Sequence, residues 1–337
     1  MRQKRGVIRF LAPAGAVLSF AACAGSVPAG DPPTPAAISP PPTQVPQAET
    51  VSEDPALADA LDALPERIVL TLHDANGDDL TLWNRVTGEF TSLAPSPFNE
   101  SHATWSPDGE WLAFQTDRDG DWEIYVVRPT CEEPSLGCND ELRNLTNSPD
   151  ANDMYPNWSA DGQVVHMSTR GGNPDIWLTP LDEGDAVPLT DHPGPDWHPN
   201  LSPEGDALAL RSDRGANPEI WGIDLESGQA QNLTDSPGTD RYPGYSPDGS
   251  RILFVSNRDG DEEIYVMDAG GGNQTNLTDN PAEDRQGSWS PDGRYILFVS
   301  DRAGEGDLFL MDAQGSEAVL LLDAGVPLDW PFWSPVE

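Results

Sequence analysis

Trp105-Ser106-Pro107-Asp108-Gly109 returns four times along the chain. The later copies are Trp158-Ser159-Ala160-Asp161-Gly162, Leu201-Ser202-Pro203-Glu204-Gly205, Tyr245-Ser246-Pro247-Asp248-Gly249 and Trp289-Ser290-Pro291-Asp292-Gly293, and a last fragment is Trp333-Ser334-Pro335. Successive openings are 53, 43, 44, 44 and 44 residues apart. A period of about 40–50 residues built from short strands and turns is the mark of a β-propeller, one repeat per blade. The aromatic-Ser-Pro segment reads as the first strand of a blade and Pro-Asp-Gly as the hairpin turn after it. Short apolar runs such as Trp111 to Gln115 and Ile252 to Ser256 read as second strands, and Ile124-Tyr125-Val126 or Ile264-Tyr265-Val266 as third strands. β-Branched and aromatic residues in short alternating runs suit them. The fourth strands end in Leu-Thr, at Leu145, Leu189, Leu233 and Leu277.

The two ends complement each other. The first repeat lacks an opening strand and begins with Ile68 to Leu72, and the last has only Phe332 to Ser334. Together they make one blade, so the C-terminal strand is expected to pair with the N-terminal ones. That closes a ring of six four-stranded blades and removes the free sheet edges. The extra length in the first interval lies at 129–142 and contains Cys131 and Cys138. In an oxidising compartment this pair reads as a disulfide stapling an elongated hairpin.

Three segments follow. Residues 1–22 read as an export signal, with a basic Met1 to Arg5 and a broken apolar stretch too short for a good membrane span. Phe20-Ala21-Ala22-Cys23 resembles a bacterial lipoprotein cleavage box, with Cys23 as the lipid attachment site. Plain secretion is the alternative. Residues 23–65 are a proline-rich tether that cannot bury a core, with helical spacing of Leu57, Leu61 and Leu64 at its end. Residues 66–337 are the propeller. The formal charge is −39, and the only lysine is Lys4. Such a chain repels nucleic acid and anionic lipid and favours cations and basic peptides.

Five positions before each strand opening stand Glu100, Asp153, Asp196, Asp240 and Asp284, then Leu328. Placed in the loops between blades, these acids would ring the channel mouth and hold a basic peptide or a single divalent cation. The opposing reading is structural. The turns between second and third strands carry Arg118, Arg170, Arg214, Arg258 and Arg302, and the blade lacking the acid has Ala75 near that place. That joint absence points to carboxylate–guanidinium pairing across the loops. The position three before each opening varies: His102, Tyr155, His198, Tyr242, Gln286 and Trp330. With the adjacent Trp197, Arg241 and Arg285, these are the candidate partner-binding residues at the mouth. His102, His192 and His198, with the rim carboxylates, are the one histidine set that could serve a metal-assisted polysaccharide lyase or hydrolase.

The repeated phrase, with its later Ser-x-Arg-Asp-Gly and acid-Ile-Tyr segments, resembles the repeats of TolB-type propellers over about 270 residues. That resemblance implies a propeller in the bacterial envelope whose channel mouth receives peptides or partner proteins. TolB proper carries a separate α/β domain where this chain has its proline tether, so the likeness is to the propeller alone. Related propellers precede hydrolase domains in peptidases, but no Gly-x-Ser-x-Gly elbow occurs here. The expectation is therefore a monomeric, lipid-anchored propeller that binds a protein, basic peptide or glycan at the channel mouth without catalysis and without an obligate cofactor. A purely structural envelope module is a further alternative.

Overall fold

The computed structural model describes residues 61, 64–75, 77–129, 140–316 and 318–335, all within one compact unit, Ile38–Glu337. The export signal, Cys23, nearly all of the tether, and the Cys131–Cys138 pair lie outside the described residues. Of the helical spacing before the first blade only Leu61 and Leu64 are described, and both are buried.

The described residues form six four-stranded antiparallel sheets arranged as a six-bladed propeller. The innermost strands are β4 (Glu100–Trp105), β8 (Asp153–Trp158), β12 (Asp196–Leu201), β16 (Asp240–Tyr245), β20 (Asp284–Trp289) and β24 (Leu328–Trp333). Each contacts the next around the axis, and β24 contacts β4. Closure is as the sequence implies. β24 pairs with β1 (Arg67–Asp74), aligning Ile68 with Trp333 and Leu72 with Leu328. β2 (Gly77–Asn84) and β3 (Phe90–Ser92) complete that blade.

The second strand of each blade explains how the ring is held. In β17 (Arg251–Ser256), Ile252 and Phe254 pack against Ile220 and Leu233 of the preceding blade. Leu253 and Val255 pack against Ile296 and Phe298 of the following one. Alternation normally gives one buried and one wet face. Here both faces meet a neighbouring blade, so Ile252 to Val255 are all apolar, each large side chain contributing about 1.5–3 kcal/mol.

The repeated phrase is a self-contained turn. The Ser106 hydroxyl donates to Asp108 at 2.6 Å and accepts from the Trp111 N–H at 2.9 Å. Asp108 also accepts from the Glu110 N–H at 3.0 Å. Gly109 has φ 72° and its four counterparts 69–80°, a left-handed conformation that favours glycine. In the third copy Glu204 departs from the pattern, and Asp206 takes the serine hydroxyl instead, at 2.8 Å. The indoles of Trp158 and Trp289 donate to Thr104 O at 3.0 Å and Gly244 O at 3.1 Å on the preceding inner strand, so these tryptophans join blades.

Candidate functional site: the channel and its plug

The inner strands start earlier than the sequence reading placed them. They run from the acid to the aromatic residue, and Ser-Pro-Asp-Gly is turn alone. Glu100, Asp153, Asp196, Asp240 and Asp284 are therefore first residues of strands, not loop residues, and all five are fully buried.

Each acid is held by the arginine of its own blade. The contacts are Arg118–Glu100 at 3.0 Å, Arg170–Asp153 at 3.1 Å, Arg214–Asp196 at 2.7 Å, Arg258–Asp240 at 3.0 Å and Arg302–Asp284 at 2.6 Å. In four blades the same guanidinium donates through Nε to a serine ending the second strand, at 2.8–2.9 Å. It also lies over an aromatic ring of the third strand, as Arg214 does over Trp221 at 5.2 Å. One cation thus ties three strands together through charge, hydrogen bond and ring face. Burial still raises the Glu100 carboxyl to about 8, against the pull of Ser96 and Arg118.

In the sixth blade, Leu328 is buried where the acid would stand. Its neighbour Asp329 takes the pairing role, accepting from His73 Nε2 at 3.0 Å, while Asp78 lies 2.7 Å from Nδ1. Asp329 raises the His73 pKa to about 9, with Asp78 adding to it. Histidine here does what arginine does elsewhere, two residues earlier than the position of Ala75.

The next residue along three of the inner strands is Trp197, Arg241 or Arg285. Trp197 packs edge-on to Tyr155 at 6.2 Å with Arg211 over its ring at 5.8 Å. Arg241 pairs with Glu262, and Arg285 lies 3.5 Å from Asp329. These arginines are already partnered within the chain.

The variable position sits inside each strand, at a bulge. His102, Tyr155, His198, Tyr242, Gln286 and Trp330 all have φ between 50° and 58°, and the ladder slips there, as between Ser101 and Thr104. A bulge re-aims a side chain and leaves a backbone group unpaired. Glutamine side chains answer two such groups: Gln115 accepts from the Tyr155 N–H at 2.9 Å and Gln286 from the Trp330 N–H at 3.2 Å. A sequence signal existed. Proline follows the variable residue in four strands, as Pro156, Pro199, Pro243 and Pro331, and proline inside a strand marks a bulge or an interrupted ladder.

The re-aimed rings meet on the axis. Centroid distances are 5.3 Å for His102–Tyr155, 4.1 Å for Tyr155–His198 and 4.4 Å for His198–Tyr242. They are 4.9 Å for Tyr242–Trp330 and 3.9 Å for Trp330–His102. Five rings close a cycle and plug the channel. His192 is not among them. It is exposed in the loop before β12, its Nδ1 accepting from the Gly194 N–H at 2.9 Å. Among the described residues no three His, Cys, Asp or Glu side chains are grouped so as to hold a metal ion.

Beyond the plug, on the side of the Trp-Ser-Pro turns, a cavity of about 470 Å³ opens on the axis. His102, His198, Tyr242, Gln286 and Trp330 form its floor, and Asn157, Asn200, Gly244 and Ser288 its wall. Pro107, Pro203, Pro247, Pro291 and Pro335, with Ala160 in the sixth place, form its rim. The side chains lining it include no Asp, Glu, Lys or Arg. The Nδ1 atoms of His102 and His198 are buried without a hydrogen-bond partner.

Burial lowers the His102 pKa to about 3 and holds His198 well below its usual value, so both rings are neutral near pH 7. Their contribution to stability is present above the unfolded value of about 6.5 and is lost as pH falls toward the folded one. At pH 5 each should cost about 2 kcal/mol, because the unfolded chain takes up protons that the folded one refuses. Glu100 acts in the opposite sense over the same range, so the effect is isolated by difference. In urea titrations at pH 7.5 and 5.0, His102→Gln/His198→Gln should lose about 4 kcal/mol less than the parent on acidification. Equal losses would refute neutral burial of the two rings.

Fold and repeat are those of a six-bladed propeller, and residues 195–335 match the family model described as the TolB beta propeller domain. An uncharacterized protein of Agrobacterium fabrum is 32% identical over 109 residues, 32% of this chain and 34% of that protein. The match thus spans about a third of the curated relative's length. The crystal structure of TolB from Acinetobacter baumannii is similar with a TM-score of 0.68 at 21% identity, covering 83% of this chain and 70% of that one. Oligogalacturonate lyase from Vibrio parahaemolyticus is similar with a TM-score of 0.50 at 15% identity, covering 77% and 73%. At these identities the solved structures show a shared fold alone.

Proposed function

We propose that this chain is an extracytoplasmic, lipid-anchored binding module whose propeller receives a partner protein at the channel without catalysing a reaction on it. The observation that carries this reading is the blind cavity on the axis, open at the proline rim and floored by His102, His198, Tyr242, Gln286 and Trp330. A concave site with a few converging polar groups is the usual form of a binding site. The export-type N-terminus and Cys23 support an anchored location, and the proline-rich segment supports a spacer between membrane and propeller. The likeness to TolB supports a protein partner.

Gly244 gives a clean test. A Cβ there meets no atom within 4 Å, so Gly244→Phe would occupy the cavity while leaving the strand intact. With a photo-crosslinking residue at the exposed rim position Ala160, the expected result is a discrete protein adduct in cell envelopes that Gly244→Phe removes. The same probe at Val187, an exposed outer-strand position, should give none. Adducts indifferent to Gly244→Phe, or none from Ala160, would reject the reading.

A further inference from the structure

The apolar clusters of the ring fall at the seams between blades, and the seam between the β4 and β8 blades is unlike the rest. Of the described residues of the β8 blade, its cluster buries Trp158 and Val164. The next seam receives Leu201, Leu208, Leu210 and Ile223 from the β12 blade. The cause is a paired substitution. His166 and Thr179 stand where the β4 blade has Phe114 and Val127, the β16 blade Phe254 and Met267, and the β20 blade Phe298 and Met311. His166 shares a strand face with Val164 and is fully buried. Polar contacts cross the seam instead. The Tyr155 N–H donates to Gln115 Oε1 at 2.9 Å, the Trp158 indole to Thr104 O at 3.0 Å, and the Thr104 hydroxyl to Pro156 O at 3.3 Å.

The His166 ring suits this place only while neutral. Nδ1 lies 3.1 Å from the Met167 carbonyl and Nε2 2.8 Å from the Thr179 hydroxyl. With its proton on Nδ1, the ring donates to the carbonyl and accepts from threonine. A second proton would make Nε2 a donor and leave the hydroxyl hydrogen to find another acceptor. The surrounding charges are already engaged. Asp153 Oδ1 is 3.6 Å from Nδ1, but both its oxygens accept from Arg170 at 3.1 Å. Across the seam, Glu123 of the β4 blade acts on Asp153 and is itself held by the Thr146 hydroxyl and by the Ser148 N–H at 2.6 Å. Burial outweighs Asp153 and lowers the ring to about 4.

We propose that the seam between the β4 and β8 blades is a proton-operated latch, closed at neutral pH and parting before the other seams on acidification, with His166 as its sensor. Parting lets water reach the ring, which then takes up a proton at its ordinary value of about 6.5. The closed seam is held fully above that value and loses its hold as pH falls toward the value of the buried ring. Between pH 7.5 and 5.0, His166 alone should raise the open fraction about thirty-fold. Glu123 and Asp175, both raised by burial, act in the opposite sense. Asn157 and Ala160 of the β8 blade belong to the wall and rim of the axial cavity, so a parted seam dismantles that cavity.

The test is hydrogen–deuterium exchange of the full chain at pH 7.5 and 5.0, each rate divided by the intrinsic amide rate at that pH. Peptides over 153–158 and 164–168 report the latch, and a peptide over 252–256 reports the corresponding strand of the β16 blade. On acidification the first two should open about thirty-fold more and the third less than about three-fold more. His166→Phe/Thr179→Val copies the pair of the β4 blade, and its rise at 164–168 should be about thirty-fold smaller than the parent's. The acids Glu123 and Asp175 are present in both proteins and cancel in that ratio. An equal rise at 252–256, no rise at 164–168, or the parent's full rise kept in the double variant would overturn the proposal. Nitrogen NMR of the imidazoles in the parent gives a reading that needs no variant. His166 should stay neutral in the folded protein at pH 5.0, and a charged His166 there would overturn the proposal.

Discussion

Deletion of residues 328–337 should abolish the folded ring. β24 is the inner strand of the sixth blade and supplies Leu328 and Trp333, both buried in the cluster that also holds Ile68, Leu70, Leu297 and Leu310. Its loss strips β1 of a partner along the register from Ile68 to Leu72, breaks the circle of inner strands, and removes Asp329 from His73. The two large side chains alone account for about 5 kcal/mol, before the exposed β1 edge or the vacated plug position of Trp330 is counted. Domains hold about 5–15 kcal/mol in all. The truncated chain should therefore show no cooperative thermal transition and should self-associate through its open edge. Circular dichroism melts and size-exclusion chromatography would show this. A sharp transition within a few degrees of the parent would mean that the other blades are independently stable.

Asp196→Ala should be the most damaging point substitution away from the apolar core. The carboxylate is fully buried and accepts from Arg214 Nη2 at 2.8 and 2.7 Å and from the Ser212 hydroxyl at 2.6 Å. The Arg214 side chain is 7% exposed, so removing its partner strands a cation with little access to water. Such losses cost about 3–5 kcal/mol, equivalent in a domain of this size to about 6–10 °C. Asp196→Asn, which keeps the shape and an acceptor, should cost less. Arg214→Ala should also cost less, since the abandoned carboxylate can take up a proton as an arginine cannot release one. Differential scanning calorimetry of the three variants orders them, and a loss below about 1 kcal/mol for Asp196→Ala would show that the pair contributes little beyond its own desolvation.

The architecture was legible because each repeat states it separately. The turn chemistry of Ser106, Asp108 and Gly109 and the split blade at the two ends carry little dependence on distant contacts. The pairing of acid with arginine was readable from the one repeat in which both are missing. What could not be read was the role of His73, because its partner Asp329 lies 256 residues away and one position off the frame. The direction of the variable side chains was equally hidden. Period-two reasoning assigns faces along a regular strand, and the bulge at His102 and its five counterparts breaks that count. The expected site consequently fell at the mouth on the acid side, whereas the cavity lies beyond the plug, walled by the repeated phrase itself.

The cycle of rings from His102 to Trp330 has one more consequence. A propeller with an open bore is a washer, and whatever occupies one end competes for space with whatever enters the other. This one is a coin. Its obverse holds a proline-rimmed cavity lined without a charged side chain, and its reverse carries Arg241, Arg285 and Asp329. Two visitors can sit on it at once without meeting, and neither can thread through to displace the other.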